Sequence, residues 1–111
     1  MKHISEKKCY IESYEKPEIK KRILFHGTDT KKWLPGKESC YTKNYKTAEN
    51  YAYLESCEIP KDTGGKFKTP YIFTIKANFI NVGGADENVM IGNKYKIIKI
   101  KKLKSCKKEG Y

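Results

Sequence analysis

The run from Pro70 to Val82 constrains the fold more than any other part of this chain. Tyr71, Phe73, Ile75, Ala77 and Phe79 fall on one face, while Thr74, Lys76 and Asn78 alternate on the other. That period of two is the signature of a half-buried strand, and such a strand needs partners beside it and a cover over its apolar face. Candidate partners lie on both sides in sequence. Arg22-Ile23-Leu24-Phe25-His26 reads as a short buried strand, ended by Gly27 and the polar turn Thr28-Asp29-Thr30. A second short strand, Ser39 to Thr42, follows the turn signal Pro35-Gly36. After Gly83-Gly84 breaks the long strand, Asn88 to Ile91 reads as a short strand, Gly92-Asn93 as a tight turn and Tyr95 to Leu103 as a lysine-fringed strand. Its alternation slips between Ile97 and Ile98, which predicts a bulge or burial on both faces.

The cover is predicted between residues 44 and 56. Asn44 suits the N-cap of a helix from Tyr45 to Ser56, because its side-chain oxygen can satisfy the first free amides. Ala48, Tyr51, Ala52 and Glu55 share one face of that helix. The two alanines allow a close approach to a strand while the Tyr51 ring projects past them. Residues 59 to 65, with Pro60 and Gly64-Gly65, read as a loop. The order of elements predicts an α+β domain: small split antiparallel β-sheets with one or two helices.

The chain has 111 residues, which suits a single domain spanning 1–111 with its core at about 22–103. It is polar, with a mean hydropathy of −0.80. Yet nine tyrosines and 13% aromatic residues argue for a packed fold, since disordered chains are poor in both. The net charge is +11, carried mainly by residues 1–22 and 94–111, with a nearly neutral stretch between them. Basic ends of this kind serve solubility or attract polyanions, and a dinucleotide or a nucleic acid suits them. No apolar run approaches the ~18 residues of a membrane span. No hydrophobic signal core follows Met1, so a cytoplasmic location and no membrane association are expected. Cys9, Cys40, Cys57 and Cys106 form no CxxC and have no histidine at zinc spacing. Reduced thiols and no metal are expected.

Three pieces carry chemistry: Leu24-Phe25-His26-Gly27-Thr28, then Cys40-Tyr41-Thr42 with Tyr51 in the following helix, then Asp86-Glu87-Asn88-Val89-Met90-Ile91. Taken singly, each has a bland reading: a turn histidine, core tyrosines, a solvated acid. Taken in order, they resemble the diphtheria-toxin and poly(ADP-ribose) polymerase branch of the ADP-ribosyltransferases. That branch has His-Gly-Ser/Thr at a strand end, a Tyr opening a strand, a second Tyr in the next helix and a late Glu before a β-run. The likeness spans about residues 22–103.

The resemblance implies an ADP-ribosyltransferase fold and a transferase that uses NAD as substrate, without metal. It implies that Glu87 bonds the ribose hydroxyls and stabilises the positive charge that develops as the nicotinamide bond breaks. His26 would bond the adenosine ribose, Gly27 would offer its backbone to the carboxamide, and Tyr41 and Tyr51 would sandwich the nicotinamide ring. Thr28 would support the same pocket. The implied catalytic group is therefore Glu87, His26 and Tyr41, and the NAD-binding group His26, Gly27, Thr28, Tyr41 and Tyr51.

Two departures stand beside this. Where the family's helix often has Ser just before its second Tyr, the nearest candidate here is Thr47. In the register of the arginine-specific toxins, the catalytic slot would hold Asn88, leaving a binding remnant; His26 favours the first register. So short a chain has little room for a second ADP-ribose site, so single-unit transfer by a monomer is expected, to a protein or, given the basic ends, a nucleic acid. The alternatives are a non-catalytic module that binds NAD or ADP-ribose, and a basic nucleic-acid-binding domain.

Overall fold

The computed structural model describes residues 19–36, 38–82 and 86–106. Cys9, the Gly83-Gly84 break and most of the basic N-terminal segment lie outside them. Three strands form one antiparallel sheet in sequence order: β1 (Lys20–Thr28), β2 (Tyr71–Asn81) and β3 (Asn88–Lys102). β2 is central, as its two-faced pattern requires, and most of its residues are buried. The result is an α+β domain, but its sheet is one continuous unit where split sheets were expected from the sequence.

The reason lies in β3. The Gly92-Asn93 pair does not make a hairpin turn. Phe79 pairs with Met90 and Ala77 with Tyr95, so residues 91–94 all stand opposite Asn78. Gly92 takes the left-handed conformation, φ 84°, that this wide bulge demands. One strand therefore passes through the position of the expected turn. The second irregularity falls where the sequence placed it. Ile97 pairs with Ile75 and Lys99 with Thr74, which leaves Ile98 as the extra residue.

The segment Tyr41-Thr42 ties the sheet's two outer edges together. Thr42 bridges to Phe25 of β1 and Tyr41 to Asn88 of β3. The main core lies on the face beneath it, where Leu24, Phe73, Ile75, Phe79 and Met90 pack around Tyr41.

On the opposite face, helix α1 (Tyr45–Tyr53) packs Ala48 and Ala52 against Ile72. Asn44 caps it, accepting from the amides of Lys46 (2.9 Å) and Thr47 (3.3 Å). The helical path continues past the expected end through a π-helical turn, Leu54–Glu58, into α2 (Ile59–Thr63). Residues 59 to 65 read as a loop, yet 59 to 63 are helical, because the wider turn ahead of Pro60 accommodates its ring. The carbonyl of Ser56, four residues before Pro60, takes the amide of Lys68 instead, at 2.9 Å. Gly64, at φ 77°, then ends the helix.

Cys57 and Cys106 form a disulfide, with Cα atoms 5.6 Å apart, and Cys40 is disulfide-bonded as well. The expectation of reduced thiols is thereby corrected. A separation of 49 residues gives no sequence cue that the end of β3 returns to the π-helical turn. Among the described residues, no helix is long and apolar enough to cross a membrane.

Candidate functional site

Between β1, the Cys40-Tyr41-Thr42 segment, α1 and the Asp86-Glu87 turn lies a cleft of about 260 Å³. Its wall includes His26, Gly27, Tyr41, Tyr51 and Glu87, five of the six residues singled out in the sequence. Thr28 is the exception. It is buried at the end of β1, paired with Tyr71, and does not line the cleft.

Strand geometry explains what Gly27 presents. Backbone groups of successive strand residues point to alternate edges. The N–H and C=O of Phe25 bond outward to Thr42, at 2.8 and 3.0 Å. Those of Gly27, two residues on, therefore point to the same outer edge, past the end of the bridge and toward the cleft. They supply one donor and one acceptor side by side, the pair a carboxamide needs. The missing side chain has a separate cause. A Cβ on Gly27 would lie 1.9 Å from the carbonyl oxygen of Ala48 and 2.8 Å from the amide nitrogen of Ala52. Glycine is thus required for α1 to reach the sheet.

His26 sits beneath Trp33, with ring centroids 4.1 Å apart and planes 15° apart. Its Nδ1 lies 2.8 Å from the Cys40 carbonyl. A carbonyl only accepts, so Nδ1 carries the proton and Nε2 keeps a lone pair for a hydroxyl donor. Burial lowers its pKa to about 4, against a smaller opposing effect of the Cys40 bond. The ring is neutral near pH 7.

Tyr41 belongs to the core. It is 1% exposed, its ring packs 4.9 Å from Phe79, and its hydroxyl donates to the Gly36 carbonyl and accepts from the Gly36 amide. Burial raises its pKa to about 12. Its ring packs against His26, Trp33 and Phe79 and is nearly enclosed, which leaves Tyr51 as the more open of the two rings expected to sandwich a ligand. Tyr51 is half-buried and remains in the cleft wall, one helical turn beyond Thr47, which lines it too.

Asp86 is the residue that sequence reasoning passed over. Its carboxylate accepts from the Thr42 hydroxyl, the Lys43 amide (3.0 and 3.1 Å), the Asn44 amide (3.1 Å) and the Asn88 amide nitrogen (3.0 Å). Burial alone would raise its pKa, but these bonds outweigh it and hold the group below its ordinary value. Asp86 thus fastens the start of α1 to the turn that carries Glu87. The only cue was the pairing of a Thr-x-Asn cap with an acid beside Glu87.

Asn88 is occupied elsewhere. Its side-chain amide donates to the Tyr41 carbonyl and to Asp86, both at 3.0 Å, and its backbone pairs with Tyr41. Glu87, and not Asn88, lines the cleft. Trp33 also went unmarked, although it is the single tryptophan and follows the His-Gly-Thr turn closely. No group of three or more metal-type side chains is present among the described residues. Set against protein-family models, curated proteins and solved structures, the chain matches none.

Proposed function

We propose that the cleft binds NAD⁺ and that the chain transfers a single ADP-ribose unit to a macromolecular acceptor, releasing nicotinamide. One observation carries the reading. His26 and Gly27 from β1, Tyr51 from α1 and Glu87 from the turn before β3 converge on one cleft, although they are separated by up to 61 residues in sequence. Chance placement of four residues chosen from sequence order would scatter them over the surface.

Each group has work that fits its surroundings. The outward N–H and C=O of Gly27 hold the nicotinamide carboxamide. Tyr51 stacks on one side of the ring, for which an offset pair contributes about 0.5–1.5 kcal/mol. The Nε2 lone pair of His26 accepts a ribose hydroxyl, and the neutral imidazole does not repel the cationic nicotinamide. Glu87 accepts ribose hydroxyls and places negative charge where positive charge develops as the glycosidic bond breaks.

The near-enclosure of Tyr41 favours one alternative, a module that binds NAD or ADP-ribose without turning it over, because one ring of the expected pair is largely withdrawn. Incubating the purified chain with NAD⁺ labelled in the adenylate and with labelled nicotinamide separates the two. Nicotinamide release with label transfer supports the transferase, and saturable binding without release supports the binder. The Cys57–Cys106 disulfide requires an oxidising compartment to form, which weighs against the cytoplasm as the place where the chain folds.

A further inference from the structure

The sheet's charge is segregated. Its three strands carry nine Lys or Arg residues and no Asp or Glu. The described acids lie on the loops and the helical stretch. Helix α1 covers only the Gly27 end of its face of the sheet, where Ala48 and Ala52 meet Ile72. Beyond it Ile23, Lys76, Asn78 and Lys96 of that face are exposed. The next row of cross-strand neighbours is Phe25, Thr74 and Lys99, then Ile23, Lys76 and Lys96, then Lys21 and Asn78. The lysines are exposed, and so is Ile23, at 51%.

Lys76 and Lys96 stand directly opposite each other. Like charges so placed repel, and none of the three strands carries an acid to relieve them. A row of exposed cations along a sheet face is complementary to a sugar–phosphate backbone. Among the described residues this face projects no helix or two-stranded ribbon to enter a duplex groove, whereas single strands track along such charged surfaces and stack on aromatic rings. One ring stands at its border. Tyr45 meets Phe25 edge-on at 5.4 Å and lies 5.7 Å beneath the Lys101 ammonium. Phe25 also lines the cleft, so the surface and the cleft share a wall.

We propose that this lysine face docks single-stranded RNA and leads it over the Phe25–Tyr45 ridge to the cleft, making RNA the acceptor. RNA is the strand a groove-less surface would meet, since its loops and ends are commonly unpaired. The acceptor assignment rests on the ADP-ribosyl transfer proposed above; the docking does not. In the transfer, the ribose–nicotinamide bond breaks with its electron pair leaving on nicotinamide. A bond forms between the same ribose carbon and a nucleophilic oxygen or nitrogen of the strand, whose proton passes to water.

Fluorescence anisotropy of the full chain with a labelled unstructured oligoribonucleotide, across a salt series, tests the docking. The combined variant K76E/K96E/K99E is expected to bind at least tenfold more weakly, with the log–log salt slope smaller by about 2. K61E/K66E, which reverses two exposed lysines outside the sheet, is expected to stay within about twofold. A thermal melt of each variant checks folding; reversing both Lys76 and Lys96 exchanges one like-charged cross-strand pair for another, so the triple variant should melt close to wild type. Equal weakening by K61E/K66E, or equal competition by heparin or the annealed duplex, overturns the docking. Strand binding by a chain that releases no nicotinamide leaves the docking standing and removes the transferase. Equal labelling of the strand from NAD⁺ by wild type and triple variant overturns RNA as the docked acceptor.

Discussion

The imidazole of His26 lies parallel to the indole of Trp33 at 4.1 Å while its Nδ1 is held by the Cys40 carbonyl. These two contacts fix the tautomer and shield the ring from water, and the low pKa follows. In the unfolded chain the same histidine titrates near its ordinary 6.5, and in the folded chain near 4. Between those values the unfolded state binds more protons, so stability should fall as pH drops from about 6.5 to 4. The shift corresponds to up to about 3 kcal/mol at full development. Urea melts across this range should show the loss in wild type and a much flatter profile in His26→Gln. Parallel profiles would contradict the assignment.

Gly27 should tolerate no side chain. Gly27→Ala places a Cβ 1.9 Å from a backbone oxygen of α1, so the helix must move or the chain unfold. A cost of about 3 kcal/mol or more is expected, at the upper end for overpacking. Gly36→Ala, with nothing within 4 Å of the new Cβ, is the matched control and should change stability by less than about 0.5 kcal/mol. Denaturant midpoints of the two variants decide it.

Asp86 and Glu87 should separate structure from chemistry. Asp86→Ala leaves the Lys43 and Asn44 amides and the Asn88 side chain without their shared acceptor. It should destabilise the chain by about 2 kcal/mol and weaken NAD⁺ binding together. Glu87→Gln should leave the melting temperature within about 2 °C of wild type. Equal melting temperatures for both variants would remove Asp86 from its role as fastener.

Reduction should cost stability in proportion to the loop the disulfide closes. Cys57–Cys106 spans 49 residues, for which the chain-entropy estimate is about 4 kcal/mol. Melting with and without dithiothreitol, in wild type and in the Cys57→Ser/Cys106→Ser double variant, measures it. Without reductant the double variant should fall below wild type by about that amount, and reductant should lower the variant further only through the Cys40 disulfide that it keeps.

Strand positions and one helix boundary were legible in the sequence because alternation and capping are local. The Asn44 cap, the Pro70–Val82 strand and the Ile97–Ile98 slip all depend on a few neighbouring residues. What escaped depends on distant parts of the chain. Gly92-Asn93 has the composition of a turn, but pairing of both flanks to one central strand makes it a bulge. Pro60 has the character of a breaker, but a π-helical turn absorbs it. Tyr41 matched a ligand-stacking position in sequence order, and only the packing of Phe79 and Trp33 shows that its ring belongs to the core. Asp86 was one acid beside another until the fold brought the 42–44 backbone to it.

Glu87 decides whether the cleft is a catalytic one. The rate of nicotinamide release from NAD⁺ at saturating substrate, compared between wild type and Glu87→Gln with binding measured in parallel, puts the proposal at most direct risk. The variant should bind NAD⁺ within a few-fold of wild type yet turn over about 10²–10³ slower. Equal release by the two proteins, or no saturable binding of NAD⁺ by the wild type, would contradict it.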